Sequence, residues 1–166
     1  MYLHYMDAGQ EHALDQVLEL TLLLSDDMNR SFERDGLTPA RAHLLWVLRG
    51  GPSTQRALAD ALRVSPRNIT GLVDGLEASG LVVRRPHPTD RRATLVGFTD
   101  DGARLAAEMA RGQVELATGL FGPLTEAEVG QLSTLLGGVI DRLKAMIAEA
   151  EAEAAGSGAA AGGATG

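Results

Sequence analysis

The pair Ser65-Pro66 restricts the fold of this chain more than any other feature. Proline is tolerated in the first turn of a helix, where its missing N–H has no partner to lose, and serine before it is a strong N-cap. A helix therefore starts at Pro66. Behind it Ile69, Leu72, Val73 and Leu76 fall at i, i+3, i+4 and i+7, a single stripe for burial. Gly80 is well placed to end the helix in the left-handed conformation. Just upstream, "STQRALADALRV" reads as a short helix capped by Ser53 or Thr54, with Leu58, Ala61 and Leu62 inward. Arg63-Val64 leaves room for only a tight turn. Two helices joined this closely have helix-turn-helix spacing.

The flanking elements extend the pattern. From Glu11 to Arg34, apolar residues recur at three- and four-residue steps (Leu14, Val17, Leu18, Leu24, Met28, Phe32), and Asp35-Gly36 stops them. Thr38-Pro39 starts a second helix that Gly50-Gly51-Pro52 closes. "LVVRRP" and "ATLVGFT" read as two strands joined by "HPTDRR". A long helix follows from Thr99 or Asp100 to about Leu120, with Leu105, Met109, Leu116 and Leu120 inward and Gly112 and Gly119 as weak points. Thr125 and Glu128 form a capping box. The helix behind it carries Leu132, Leu136, Val139, Leu143 and Ile147 on a stripe too long for a domain this small to cover, so a partner is expected there. With aromatics at 4%, the core must be mostly Leu, Val and Ala.

The expected fold is mainly α: a winged helix-turn-helix with long N- and C-terminal dimerisation helices and a small β-hairpin wing. Residues 37–99 would form the DNA-binding lobe, and 11–36 with 100–153 the helical dimerisation region. Residues 154–166 read as a disordered low-complexity tail.

Charge distribution gives the first functional sign. The chain carries a formal −7, yet residues 41–96 hold nine arginines against four acids, a local +5. A basic working segment on an acidic frame suits a polyanionic partner. On the Pro66 helix, Arg67 suits guanine, Asn68 adenine, and the Thr70 methyl thymine. Gly71 permits close backbone approach. In the hairpin, Asp90 stands two residues before Arg92 and can brace it for a narrow minor groove, while Arg84, Arg85 and Arg91 can reach phosphates. A surface hairpin with screened charges is the alternative. A winged helix used for protein contacts alone would tend to show apolar anchors in place of this arginine and asparagine face. No glycine-rich phosphate loop, nucleophile motif or metal spacing points to an enzyme, a cofactor or a metal. With no cysteine, disulfides and thiol redox switching are excluded. The chain start lacks a basic-then-apolar signal, and no apolar run approaches a membrane span. A cytoplasmic protein is expected.

With these residues in view the chain resembles MarR-type winged helix-turn-helix transcriptional regulators. The resemblance spans roughly Leu14 to Ile147. It rests on "LTPARAHLLWVL", on "ALADALRVSPRNITGLVDGLEASGLVVRRPHPTDRRATLVGFTDDG" and on the long last helix. "DRRA" followed by a strand and "FTDDG" is its most specific part. The resemblance implies a homodimer built from the first and last helices, Leu14 and Leu18 included, that places two winged helices on a pseudo-palindrome of double-stranded DNA. It implies that Ser65, Pro66, Arg67, Asn68 and Thr70 occupy recognition positions, and that Asp90 and Arg92 are the wing's Asp-x-Arg. It also implies a ligand pocket between the dimer helices and the DNA-binding lobe. For that pocket the apolar candidates are Met28, Phe32, Leu45 and Trp46, with Arg41 or His43 for the carboxylate of a small aromatic acid. Ordinary core packing is the alternative for His43 and Trp46. A ligand-responsive repressor is the function so implied.

Overall fold

The computed structural model describes residues 8–89 and 93–161. The elements run α1 (Ala8–Arg34), α2 (Pro39–Leu48), β1 (Ser53–Thr54), α3 (Gln55–Leu62), α4 (Pro66–Ala78), β2 (Val82–Pro86), β3 (Thr94–Phe98), α5 (Asp100–Phe121) and α6 (Glu126–Ala161). The strands form one antiparallel sheet in the order β1-β3-β2. The chain divides into two compact units, and the boundary lies within α5 between Ala110 and Arg111.

Local chemistry sets the helix borders of the first unit. Thr38, Thr54 and Ser65 each take an extended conformation and accept a hydrogen bond from the backbone N–H three residues on. Three helices end in the same closing turn. After α1, the Leu37 N–H donates to the Phe32 carbonyl at 2.8 Å across Gly36 at φ +67°. After α4, the Leu81 N–H donates to the Leu76 carbonyl at 3.0 Å across Gly80 at φ +72°. After α3, the Val64 N–H donates to the Ala59 carbonyl at 3.0 Å. There the left-handed position falls to Arg63 at φ 53°, a conformation that costs a side-chain-bearing residue energy. This turn is what separates α3 from α4.

The core of the unit is aliphatic. Leu44, Leu45 and Leu48 of α2, Leu58 and Ala59 of α3, Ile69, Val73 and Leu76 of α4, and Val82 and Val96 of the sheet are all buried. Ala59, not the expected Ala61, takes the inward position on α3, because the helix starts at Gln55 and turns Ala61 to solvent. Leu105 and Met109 of α5 pack against this cluster. The two-residue strand β1 pairs Ser53 with Val96 and Thr54 with Leu95. It has no sequence pattern of its own and was not expected.

A second close contact ties α4, β2 and α5 together. The Thr99 hydroxyl donates to the Gly80 carbonyl at 2.6 Å and accepts from the Gly102 N–H at 3.1 Å, and the Thr99 N–H donates to the Leu81 carbonyl at 3.2 Å. Gly102 is buried, and a Cβ built there would lie 1.8 Å from the Leu81 carbonyl oxygen. The "FTDDG" segment is thus a joint: Thr99 bridges the end of one helix to the start of the next, and only glycine lets them meet.

In the second unit, α5 runs unbroken through Gly112 and Gly119. Leu120, expected inward, is exposed. The Thr125–Glu128 capping box is complete: the Glu128 carboxylate accepts from the Thr125 N–H at 2.8 Å, and the Thr125 hydroxyl accepts from the Glu128 N–H at 3.3 Å. These bonds hold the Glu128 carboxyl below its ordinary pKa, the backbone N–H foremost and the hydroxyl second. The helix expected to end near Glu153 continues to Ala161. Its last turns are alanine-rich, and adding alanine to a formed helix costs little. So 154–161 is helix, not part of a disordered tail, and 162–166 lie outside the described residues. No helix among the described residues is long and apolar enough to cross a membrane.

Gly102→Ala should destabilise the fold by roughly 2–3 kcal/mol, because backbone must move to admit the methyl. Gly112→Ala, with open space around its Cβ position, should stabilise by about 0.5–1 kcal/mol. Urea unfolding of both variants checks the pair. Glu128 gives a pH signature. Its contribution is fully present above the ordinary pKa of 4.5 and is lost as the pH falls through its lowered value. Glu128→Gln should therefore lower the neutral plateau toward the acid value and flatten the acid limb of the stability curve, as read by thermal melts across pH.

Candidate nucleic-acid interface

Burial of one side of α4 dictates what its other side offers. Ile69, Val73 and Leu76 lock that side into the core, which turns Arg67, Asn68, Thr70, Gly71 and Asp74 to solvent. Ser65 accepts the Asn68 N–H at 3.2 Å through its hydroxyl, and this cap fixes where the helix begins. Pro66 follows in the first turn. The Thr70 hydroxyl donates back to the Pro66 carbonyl at 2.9 Å and accepts from Gln55 Nε2 at 3.5 Å. That leaves the Thr70 methyl as the part of the side chain not committed to a hydrogen bond. Gly71 has open space around it. The exposed half-helix thus presents a guanidinium, a carboxamide, a methyl and bare backbone in sequence, a set that matches base edges in a major groove.

Gln55 was not singled out from the sequence. The available signal was its place directly after the Thr54 cap, which the tight α3–α4 turn brings beside α4.

The wing is built on the β2–β3 ladder, with Arg84 opposite Val96 and Pro86 opposite Thr94. The His87 N–H donates to the Ala93 carbonyl at 3.0 Å and carries the pairing one step further. The Thr89 N–H donates to His87 Nδ1 at 3.3 Å. Arg85 and Pro86 are exposed. Asp90, Arg91 and Arg92, and with them the expected Asp90–Arg92 brace, lie outside the described residues.

Arg84 departs from expectation. It does not extend toward a phosphate. One guanidinium nitrogen bonds Asp74 at 2.5 Å, and another bonds Glu77. Its backbone N–H also donates to Glu77 Oε1, at 3.2 Å. Burial alone would lower the arginine pKa, but the hydrogen bonds to Asp74 and Glu77 outweigh it and raise the value. The sequence reading missed this because the partners stand seven and ten residues away, across a turn.

The candidate ligand residues separate. Leu45 belongs to the core, whereas His43 and Trp46 lie on the solvent side of α2. The Arg49 guanidinium covers the Trp46 ring at 4.3 Å. The Arg41 guanidinium instead lies over Gly75 of α4, where a Cβ would clash with it. Phe32 packs on the core and Met28 is exposed. A surface depression of about 650 Å³ on the last turns of α1 is lined by Asp27, Arg30, Glu33 and Arg34 and by none of these residues. The dimerisation candidates stay uncovered in the single chain: Leu14, Leu18, Val139, Leu143 and Ile147 are exposed, and Leu132 and Leu136 are partly so.

Comparison with known proteins agrees with this geometry. Residues 35–93 match the sequence model of the MarR family. Over 114 residues the chain is 28% identical to the HTH-type transcriptional regulator MhqR of Bacillus subtilis, which covers 68% of this chain and 79% of that protein. Among solved structures it is similar to wild-type apo MarR from E. coli, with a TM-score of 0.59 and 29% identity over 76% of this chain and 96% of that one. It is also similar to MepR of S. aureus in its DNA complex, with a TM-score of 0.58 and 25% identity over 75% and 96% of the two chains.

The caps and the exposed face should separate in stability measurements. Ser65→Ala removes a cap and should cost about 1 kcal/mol. Arg67→Ala and Asn68→Ala remove only exposed side chains and should stay within about 0.5 kcal/mol of the parent. Denaturant midpoints of the three variants test this, and a large loss at Arg67 would mean that its side chain supports the fold.

Proposed function

This chain belongs to the MarR family of transcriptional regulators, and from that premise we propose how it reads DNA and how it is controlled. It is a DNA-binding regulator. In our reading it acts as a homodimeric repressor in the cytoplasm, with α4 of each subunit in the major groove and the wing along the neighbouring minor groove. The observation that carries the reading is the exposed Arg67-Asn68-Thr70-Gly71 face, beside a hairpin that holds Arg85, Arg91 and Arg92. Arg67 and Asn68 read bases. Arg85, Arg91 and Arg92 supply positive charge to the backbone and the narrow groove.

Two further observations support the assembly and its control. The apolar faces of α1 and α6 are open in one subunit, and a second copy covers both kinds of surface at once. His43 and Trp46, exposed on α2, offer a polar and an aromatic group for an apolar aromatic acid, with Met28 as a further apolar wall. Such a ligand acts by binding one separation of the two lobes better than the other.

Selection of bound DNA from a random pool tests the reading. The expected product is a two-fold site with half-sites about 10 bp apart. Arg67→Ala or Asn68→Ala should relax base preference by roughly 1–3 kcal/mol at one position, and Arg92→Ala should weaken binding across sequences. Affinity should fall steeply with salt despite the net charge of −7, since the arginine-rich lobe meets the phosphates. Enrichment of no sequence would end the proposal. Titration of operator affinity against a panel of aromatic acids tests the control, and no change at millimolar concentrations would leave a ligand-independent regulator.

A further inference from the structure

We propose that Arg84 is a positioning residue for DNA reading: it latches the root of the wing to the recognition helix, so that α4 and the β2–β3 strands meet DNA at one fixed spacing. The proposal rests on the DNA-binding reading above and adds a residue with no DNA contact of its own.

The sheet order leaves β2 at an edge, with one side of its backbone unpaired by any strand. Such an edge needs a partner for its inward N–H groups or it frays. Glu77 supplies one for Arg84, accepting its backbone N–H at 3.2 Å. The same carboxylate takes one nitrogen of the Arg84 guanidinium, and Asp74 takes another. Asp74 and Glu77 are three residues apart on α4 and so share one side of the helix. The Arg84 side chain, 24% exposed, is the least exposed of the three.

Isolated ion pairs at a surface hold little, since two flexible side chains must be fixed for one contact. Here one arginine rotamer satisfies two carboxylates, and the strand backbone adds a third contact to one of them. The planar guanidinium fork favours this geometry. The latch joins the strand that leads into the wing to the side of α4 next to its base-reading face. The arrangement also keeps two carboxylates on α4 neutralised where DNA phosphates approach. The primary role is geometric, and the two roles separate by experiment.

The test uses the full chain and three variants: Arg84→Met, Arg84→Lys, and the neutral triple variant Arg84→Met with Asp74→Asn and Glu77→Gln. The triple variant leaves no unpaired charge, so it keeps the test alive if Arg84→Met alone fails to fold. Two quantities are read. The first is the ratio of affinity for the selected operator to affinity for random DNA. The second is amide hydrogen exchange in the free protein, at β2 and the wing against α4. Arg84→Met and the triple variant should both lose about tenfold in the ratio, comparable to the discrimination carried by one base pair. Wing amides should exchange faster while α4 is unchanged, and Arg84→Lys should recover part of both effects. A triple variant that reads its operator as well as the parent overturns the proposal and reduces Arg84 to charge balance. Unchanged wing exchange overturns it too. If the parent itself selects no sequence, the DNA-binding reading fails, and the exchange data still decide whether the latch exists.

Discussion

The stripe of Ile69, Val73 and Leu76 is the constraint on which the rest depends. These side chains enter a core of Leu44, Leu45, Leu48, Leu58, Val82 and Val96. Fully burying each is worth on the order of 1.5–3 kcal/mol, a large share of the stability of a small lobe. A helix has only one side to give to a core. Once the stripe is buried, the direction of Arg67, Asn68, Thr70 and Gly71 is settled without any contact of their own. The exposed residues can then vary at little cost to folding, because they do not overlap with the groups that hold the helix.

The position of the hairpin relative to α4 needs a second constraint, and the joint after α4 provides it. Gly80 ends the helix, Thr99 bonds the carbonyl that the helix end leaves open, and Gly102 lets α5 start against Leu81. Between these fixed points the chain runs out through β2 and back through β3. The base of the wing is therefore anchored at β1, at the α5 start, and through Arg84 at α4 itself.

The apolar faces of α1 and α6 follow an opposite logic. No side chain of α1 is buried, yet Leu14, Leu18, Leu22 and Leu23 line it. Exposed leucine at this density is costly in water, so these helices make sense as halves of an interface. The acidic balance lies outside the arginine-rich lobe, at −12 against +5 by formal charge.

The sequence by itself determined whatever depends on interactions within about five residues. Thr38-Pro39, Thr54, Ser65-Pro66, Gly36, Gly80 and the Thr125–Glu128 box are all local hydrogen bonds or local backbone preferences, and so the helix borders at those residues, the helix-turn-helix and the exposed face of α4 were legible in it. Tertiary structure decided what depends on which elements meet. A two-residue strand such as β1 has no pattern to read until β3 lies beside it. The need for glycine at 102 appears only when the Leu81 carbonyl arrives. The same holds for Arg84, which in sequence is one more arginine of a basic hairpin. Only the path of the chain between α4 and β2 brings Asp74 and Glu77 within reach, and a guanidinium goes to fixed carboxylates nearby before it goes to a phosphate that has yet to bind.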